Sequence, residues 1–348
     1  MSFFCSQSSD QRIILTEDNF PLSQVMVNDA NWLLPEGVEE ILPQDAARLE
    51  MLRRSILDDL QARGFDLVMP PVMEFVDALL TGTGEELDTQ TYKFMDQHSH
   101  RMLGIRADMT PQIARIDAHY LAENEVNRLC YAGTVLRTQP DQMGGQRELF
   151  QFGAELFGVE EQTADIEIID AMISSLRLAE LINLTLSISH VGLYRTLLKT
   201  HNVPNDLEPE LFDILLRKSV PDLAELASRI DIKAFQKLLA LQGDASVLKQ
   251  AAKDLPSDPE INDCLNELNT LVEHLEEHQD DINVHIDLAD VCGYRYHTGL
   301  KFSAYVDGRG RTVAKGGRYD RIGEQFGRAR PATGFSADLK SLIKLIKN

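Results

Sequence analysis

The residue patterns that carry out common enzyme chemistry are nearly absent from this sequence. No P-loop, GxSxG or HExxH motif occurs, and the glycine-rich segment TGTG at residues 81–84 lacks the lysine with which a P-loop reaches a phosphate. The four cysteines form no CxxC pair and no cluster with histidines, so we expect neither a disulfide framework nor a metal site. The best candidate for enclosing a ligand is TQPDQMGGQR at residues 138–147, a long polar loop that contains glycine.

The segments on either side of this loop have the residue pattern of strands. Residues 128–137 and 148–158 are rich in apolar and aromatic residues, and residues 92–105 read as a hairpin. A helix is predicted over 110–121, where Thr-Pro supplies an N-cap and a first helical position, and a last helix over 336–346. Hairpins and polar loops favour an antiparallel sheet flanked by helices, which is an α+β fold. No GxGxxG stands where a Rossmann fold needs it.

The texture of the sequence divides the chain into four parts. Residues 1–25 lack a clear pattern, and we expect a poorly ordered tail. Residues 26–192 hold the first half of the sheet-forming core. Residues 193–280 are leucine-rich helical runs without a strand candidate, which predicts an inserted all-helical subdomain. Strand patterns resume over 281–348, the second half of the core.

The charge of the chain argues against a nucleic-acid partner. There are 34 Lys and Arg residues against 55 Asp and Glu residues, so the net charge is −21, and such a chain repels phosphate backbones. No apolar run approaches the ~20 residues that span a bilayer, and the N-terminus has no secretory leader. We therefore expect a cytoplasmic protein with no membrane partner.

Five segments, in order, resemble the motifs of class II aminoacyl-tRNA synthetases in the form found in histidyl-tRNA synthetase. The resemblance covers roughly residues 30–340 and implies the class II sheet with flanking helices, with Pro71 at a dimer interface. The segments are GFDLVMPPVME (64–74, like motif 1), RADMTPQIAR (106–115), RLCYAGTVLRTQPDQMGGQRELFQFGAELFG (128–158, like motif 2), YRYHTGLKFSAY with KGGRYDRI (294–305 and 315–322, like the histidine signatures) and ATGFSADLKSL (332–342, like motif 3).

The phosphate-binding positions depart from that family. Arg137 matches the motif 2 arginine, but Gln139 replaces an acidic residue. Cys292 and Ser341 stand where the synthetase has arginines that stabilise charge during adenylation. Removing one preorganised cation from such a site costs on the order of 10²–10³ in rate. The sequence also stops at Asn348, so we expect no anticodon-binding domain and no synthetase activity.

The amino-acid pocket departs less from the family pattern. A zwitterion needs an anion at its ammonium group and a cation at its carboxylate, and a neutral imidazole needs a donor and an acceptor. His297 replaces a second tyrosine of the synthetase, which alters imidazole recognition. The resemblance implies Asp108, Thr110 and Gln151 for the α-amino group, Arg137 for the carboxylate, and Glu155, Tyr296, His297 and Tyr319 around the imidazole. In the alternative reading, Gln151 and Glu155 only form hydrogen bonds across the sheet.

One family of synthetase paralogues combines these features: the regulatory subunits of ATP phosphoribosyltransferase. The segment IRADMTPQIARI at residues 105–116 is especially similar to that family. The resemblance implies a non-catalytic dimer that joins short-form catalytic subunits in a hetero-octamer, takes part in the first step of histidine biosynthesis and senses L-histidine. It implies no cofactor for this chain, and Mg²⁺ would belong to the catalytic partner.

Two other functions stay open at this stage. The first is a truncated ligase that forms histidyl-adenylate with cations from Arg137, Arg318 and a partner. Histidine-dependent pyrophosphate exchange would identify it. The second is a stand-alone histidine sensor with a different target, which co-purification with a short phosphoribosyltransferase would exclude.

Overall fold

The structure is a computed structural model that describes part of the chain. Residues from Glu36 onward form one compact unit, distinct from the unit that ends at Pro35. The predicted tail at 1–25, most of the glycine-rich segment at 81–84 and the middle of the 138–147 loop lie outside the described residues. The described residues are 33–81, 85–121, 125–140, 145–306 and 310–346.

A nine-stranded sheet forms the centre of the molecule, and three further strands form a separate small sheet. The large sheet has the order β1-β5-β6-β12-β11-β10-β7-β9-β8, and the small one has the order β2-β4-β3. The strands are β1 (Asp66–Leu67), β2 (Met73–Phe75), β3 (Tyr92–Met95), β4 (Met102–Ile105), β5 (Asn127–Leu136), β6 (Glu148–Phe157), β7 (Leu184–His190), β8 (Gln242–Gly243), β9 (Ile282–Asp287), β10 (Leu300–Val306), β11 (Thr312–Arg318) and β12 (Ala332–Asp338).

The large sheet is mixed rather than purely antiparallel. Its central strands pair antiparallel, as predicted, but β1 pairs with β5 and β7 with β9 in parallel. A parallel pair needs a long crossover connection, and between β7 and β9 the leucine-rich helices supply it. The α+β class is confirmed, with these two parallel pairs as the correction.

The described residues form twelve α-helices, besides the short 3-10 helices Leu226–Ser228 and Ile322–Phe326. The α-helices are α1 (Pro43–Ala62), α2 (Val76–Leu79), α3 (Glu85–Gln90), α4 (Thr110–Tyr120), α5 (Thr163–Leu178), α6 (Val191–Thr200), α7 (Glu208–Leu216), α8 (Val220–Glu225), α9 (Lys233–Ala240), α10 (Ser246–Asp254), α11 (Pro259–His278) and α12 (Leu339–Ile343). Helix α1 contacts α5 and α12, and these two helices contact β6 of the large sheet. The main hydrophobic core includes residues of these helices and of the sheet. A smaller apolar cluster includes residues of α4 and of the opposite face.

The helical region between β7 and β9 is not purely helical. Residues 242–243 form β8, which pairs with β9 at the edge of the sheet and which the sequence pattern did not predict. A two-residue strand is too short to show alternation. Buried residues of this region, such as Phe235 and Leu268, belong to the same core as Phe302 and Phe335 of the sheet.

One predicted helix start and one predicted helix cap were wrong. The last helix begins at Leu339 rather than near residue 336, because β12 continues to Asp338 and the Asp338 carboxylate caps the helix by accepting from the Lys340 and Ser341 amides. Helix α4 has Met109 at its N-cap, one residue before the predicted Thr110. The Thr110 hydroxyl has another partner, described below.

Candidate functional site

Strand β6 provides the floor of the candidate site. Gln151, Gly153 and Glu155 share one face of the strand because side chains alternate along it. Glu155 lies opposite Gly334 of β12, and a Cβ atom on Gly334 would lie 1.5 Å from Glu155 Oε2. A Cβ atom on Gly153 would lie 2.6 Å from the Tyr131 hydroxyl. These two glycines therefore make the space that the polar side chains occupy.

Glu155 is the centre of a buried cluster of hydroxyl groups. Its Oε1 accepts hydrogen bonds from Thr110 Oγ1 at 3.0 Å and from the Tyr131 hydroxyl at 2.9 Å, and its Oε2 accepts one from the Tyr319 hydroxyl. Only 1% of Glu155 is exposed, and burial raises its pKa to about 8 although the three hydroxyl donors act in the opposite direction. We call these four residues the Glu155 cluster.

A second group of hydrogen bonds joins Asp108 and Gln151 at the start of α4. Gln151 Nε2 donates to Asp108 Oδ1 at 3.0 Å, and Gln151 Oε1 accepts from the Met109 amide at 2.9 Å. The Thr110 amide also donates to Asp108 Oδ1, at 3.0 Å. A carboxylate is thus held beside the Glu155 cluster by the turn that leads into α4, as a site for an ammonium group requires.

Two aromatic rings, those of Tyr296 and His297, extend the Glu155 cluster from its member Tyr319. Tyr296 stacks on Tyr319 with 5.2 Å between ring centroids, and the His297 ring meets Tyr296 edge-on at 5.2 Å. Burial lowers the pKa of His297 to about 3, with Lys301 and Lys315 adding to the shift, so the imidazole is neutral. Its buried Nδ1 has no hydrogen-bond partner among the described residues.

Arg137 stands just beyond the end of β5, beside the same turn. Its Nε donates to the Ala107 carbonyl at 3.2 Å, next to Asp108. Gln139 is exposed two residues later in the motif 2 loop. The structure therefore brings together the side chains of Asp108, Gln151, Thr110, Glu155 and Tyr319 by direct hydrogen bonds, Tyr296 and His297 by ring contacts, and Arg137 through the backbone.

Comparison with known proteins identifies the family of this chain. The sequence matches the histidyl-tRNA synthetase family over residues 37–342. The ATP phosphoribosyltransferase regulatory subunit of Methylococcus capsulatus is 47% identical over 323 residues, which are 91% of this chain and 80% of the relative. This chain belongs to the ATP phosphoribosyltransferase regulatory subunit family.

Solved structures of this family and its relatives have the same fold. An ATP phosphoribosyltransferase regulatory subunit/histidyl-tRNA synthetase from Bacillus halodurans superposes with a TM-score of 0.82 and 28% identity, covering 93% of this chain and 85% of that one. An ATP phosphoribosyl transferase (HisG:HisZ) complex from Thermotoga maritima contains a chain with a TM-score of 0.66 and 20% identity, covering 84% of this chain and 97% of that one. The predicted synthetase-like fold of this regulatory-subunit family member is confirmed.

The altered phosphate positions are Gln139, Cys292 and Ser341, and none of these side chains is positively charged. Cys292 is exposed, and its amide donates to Asp290 Oδ1. Ser341 Oγ donates to Asp338 Oδ2 at 2.5 Å, so this hydroxyl belongs to the cap of α12. The preceding Lys340 is buried and donates to Glu148 at 2.9 Å.

Arg318, the cation that a truncated ligase was expected to recruit, is also engaged. Its Nε and Nη2 donate to the buried Asp165 carboxylate at 3.0 and 2.8 Å, and Nη1 donates to the Val159 carbonyl at 3.1 Å. Val159 follows β6 and Asp165 belongs to α5. Arg318 projects on the opposite face of the sheet from Glu155, because it lies opposite Thr333, which lies opposite Leu156. This geometry speaks against the ligase.

Pro71 lies in an exposed apolar segment between β1 and β2. Its neighbours Met69, Val72 and Met73 are 78%, 50% and 54% exposed. The Pro71 carbonyl accepts a hydrogen bond from Gln112 Nε2 of α4 at 2.8 Å. The predicted role of Pro71 in a dimer interface stays a prediction.

Sequence reasoning missed Tyr131 as a member of the site. Tyr131 lies opposite Gly153 on β5, diagonal to Glu155, so the antiparallel pairing of two strands places its hydroxyl on the carboxylate. The signal was present as a tyrosine and a glycine at matching positions of the two strands, but it requires the register to be known. Among the described residues there is no helix that could span a membrane and no group of three or more potential metal ligands.

Proposed function

We propose that this chain is a non-catalytic regulatory subunit that activates the short-form catalytic subunit of ATP phosphoribosyltransferase. In that reaction ATP and phosphoribosyl pyrophosphate give phosphoribosyl-ATP and pyrophosphate on the partner chain. The 47% identity to a curated regulatory subunit over 91% of this chain carries the proposal. The Thermotoga maritima complex of similar fold supports assembly with a catalytic partner. We assign no cofactor to this chain.

L-Histidine is the proposed effector, bound between Asp108 and the Glu155 cluster. The Asp108 carboxylate suits the ammonium group, and the buried Glu155 carboxylate suits an imidazole N–H. For histidine to regulate the partner, it must bind the active and inactive arrangements with different affinity, since tight binding alone shifts nothing. A coupling of about 1–3 kcal/mol corresponds to roughly 5- to 150-fold regulation.

The proposed assembly is a hetero-octamer in which dimers of this chain join catalytic subunits. The exposed segment around Pro71 is the proposed dimer surface, because large apolar side chains such as Met69 and Met73 are exposed there. The mass of the purified complex tests the stoichiometry. Replacing Met69 with a charged residue should weaken the dimer.

The test of the function is co-expression with a short-form catalytic subunit. Phosphoribosyl-ATP formation is followed with and without this chain, and then with increasing L-histidine. We expect co-purification, a higher rate in the complex and inhibition by histidine. Failure to co-purify would favour a sensor with another target, and histidine-dependent pyrophosphate exchange by the isolated chain would favour the ligase.

A further inference from the structure

One arginine of helix α6 holds the loop that carries Tyr296 and His297. The loop joins β9 to β10, and Arg195 lies in the second turn of α6. Its Nη1 donates to the Thr298 carbonyl at 3.3 Å, and its Nη2 donates to the carbonyls of Tyr294 and, at 2.5 Å, of His297. Three main-chain oxygens on both sides of the Tyr296 ring are therefore bound to one guanidinium.

The backbone of this loop explains why a side-chain donor is needed there. The His297 amide donates to the Gly293 carbonyl at 2.9 Å, as in one turn of α-helix. A further helical residue would direct the Thr298 amide to the Tyr294 carbonyl, but that amide donates to the Arg318 carbonyl of β11 at 2.7 Å. Tyr294 is buried, and a buried carbonyl without a donor is costly. The guanidinium supplies the missing N–H group, since arginine carries five donors in a fixed fork.

The guanidinium of Arg195 binds this loop rather than a carboxylate. Among the residues that the structure describes, its hydrogen-bond acceptors are all main-chain carbonyls. Burial lowers the pKa of Arg195, because the guanidinium is partly withdrawn from water. Lys199, one turn further along α6, is exposed and forms an ion pair with Glu260 at 2.6 Å. The two cations of this helix therefore differ, since one holds the interior of the chain and the other lies at its surface.

The helical region between β7 and β9 holds the same loop through Tyr294. The Tyr294 ring meets that of Tyr194 on α6 edge-on with 5.2 Å between centroids, and lies 4.8 Å from the Phe212 ring of α7. The Tyr294 hydroxyl donates to the Glu208 carboxylate of α7. Together with Arg195, these contacts attach the loop to two helices of that region.

The loop also places His297 on the site face of the sheet. A Cβ atom on Gly317 would lie 2.8 Å from His297 Nδ1, so the imidazole packs directly on the backbone of β11. Gly317 lies opposite Gly334 of β12, and Gly334 lies opposite Glu155 of β6. Residues that lie opposite one another project on the same face of a sheet. A shift of the loop would therefore move the Tyr296 and His297 rings relative to the Glu155 carboxylate.

We propose that Arg195 is a positioning residue for the effector pocket. From α6 it fixes the backbone that carries Tyr296 and His297, and it thereby sets the affinity of the pocket for the imidazole of the ligand. The inference rests on the proposed function and adds to it a link between the helical region and the pocket. Arg195 acts through the loop carbonyls and not by contact with the ligand.

The experiment is a double-mutant cycle in the complex with the catalytic subunit. L-Histidine is titrated calorimetrically into the unaltered complex and into the variants Arg195→Met, His297→Ala and the combination of both. Lys199→Met is the matched control, because it removes an equal charge from an exposed position of the same helix. We expect Arg195→Met to weaken L-histidine binding by about 10- to 50-fold, as loss of hydrogen bonds to a charged group does, and Lys199→Met to change it by less than about twofold.

The His297→Ala background separates positioning of the pocket from a general loss of structure. If Arg195 acts by placing the aromatic rings of the loop, the factor by which Arg195→Met weakens binding should be smaller by about threefold or more once the His297 ring is gone. A more nearly equal factor in the two backgrounds would overturn the assignment, and so would an unchanged affinity of Arg195→Met in the presence of His297.

The conservative variant Arg195→Lys keeps the charge but offers one nitrogen to three carbonyls, so we expect an intermediate affinity for L-histidine. It takes the place of Arg195→Met in the cycle if that variant does not assemble with the catalytic subunit. If the unaltered complex binds L-histidine and the cycle is additive, the role of Arg195 is wrong while the pocket stands. If the unaltered complex does not bind L-histidine, the proposed histidine site is wrong and the role of Arg195 falls with it.

Discussion

The Glu155 cluster and the altered phosphate positions belong to the same synthetase-like fold, yet their polar groups are used in opposite ways. In the Glu155 cluster, one buried carboxylate accepts three hydrogen bonds from hydroxyl groups on three different elements. At the phosphate positions, Cys292 is exposed and the hydroxyl of Ser341 caps a helix. Preorganised polar groups are costly to bury, so the intact cluster supports the proposed binding role, whereas the side chains at the altered phosphate positions are uncharged.

The contrast is tested most strongly by removing the Glu155 carboxylate. Glu155→Ala leaves the hydroxyls of Thr110, Tyr131 and Tyr319 without their shared acceptor. It also leaves the imidazole of bound L-histidine without its proposed hydrogen-bond partner. We expect histidine inhibition to weaken by about 100-fold or more while activation of the partner persists. The measurement is the histidine concentration for half inhibition of the complex. The exposed Glu160 provides a control as Glu160→Ala, and equal effects of both variants would place the sensor elsewhere.

A smaller effect is expected from filling the space beside the carboxylate. In Gly334→Ala the new Cβ would lie 1.5 Å from Glu155 Oε2 and 2.8 Å from the Ala154 carbonyl oxygen, so both must shift. We expect the free energy of unfolding to fall by about 1–3 kcal/mol, with loss of histidine binding. Chemical denaturation and titration measure the two effects. Gly310→Ala is the control because no atom of the described residues would lie within 4 Å of its Cβ, and a neutral Gly334→Ala would refute the close approach.

The buried carboxylate also predicts how histidine binding depends on pH. Because burial raises the pKa of Glu155 to about 8, the carboxyl is mostly protonated at neutral pH and accepts an imidazole N–H less strongly than the carboxylate does. Histidine affinity should therefore rise with pH, by at most about tenfold per pH unit, and level off above the Glu155 pKa of about 8. The measurement starts at about pH 7, where most of the free imidazole is neutral. Glu155→Gln should remove this dependence, and a flat profile in the unaltered complex would contradict the prediction.

The same pKa fixes the sign of a stability effect. The folded chain holds the Glu155 proton more tightly than the unfolded chain, where the pKa is near 4.5. The contribution of this group to the free energy of unfolding is therefore greatest below pH 4.5 and is lost as the pH rises to about 8. Histidine binding opposes that loss, so the protection that histidine gives against unfolding should be larger at pH 8 than at pH 6.5.

The sequence predicted the strands that local residue patterns encode, but not the contacts that depend on how those strands pair. The strands that flank the motif 2 loop and the hairpin at 92–105 were predicted from local residue composition, and they appear as β5, β6, β3 and β4. The contact of Tyr131 with Glu155 joins residues 24 apart, and that of Tyr319 with Glu155 joins residues 164 apart. Such contacts depend on register, which a single sequence does not specify.

The end of the chain illustrates the same point. Residues 336–338 fit a helical pattern when read alone, but β12 extends through them because Phe152 and Gln151 of β6 lie opposite Ala337 and Asp338. Tertiary pairing overrode the local preference. The parallel pairs at the two sides of the large sheet were missed for the same reason, since the alternation of a strand does not reveal the direction of its neighbour.

The smallest predicted effects lie at the phosphate positions, and they complete the comparison. Ser341→Ala removes only the hydroxyl that donates to Asp338 Oδ2, and the Ser341 amide continues to donate to that oxygen at 3.0 Å. We expect the free energy of unfolding to fall by about 0.5–1 kcal/mol and histidine affinity to stay within twofold. Cys292→Ala should change neither quantity. A tenfold change in histidine affinity in either variant would mean that the altered phosphate positions still contribute to ligand binding. The contrast with the Glu155 cluster would then be wrong.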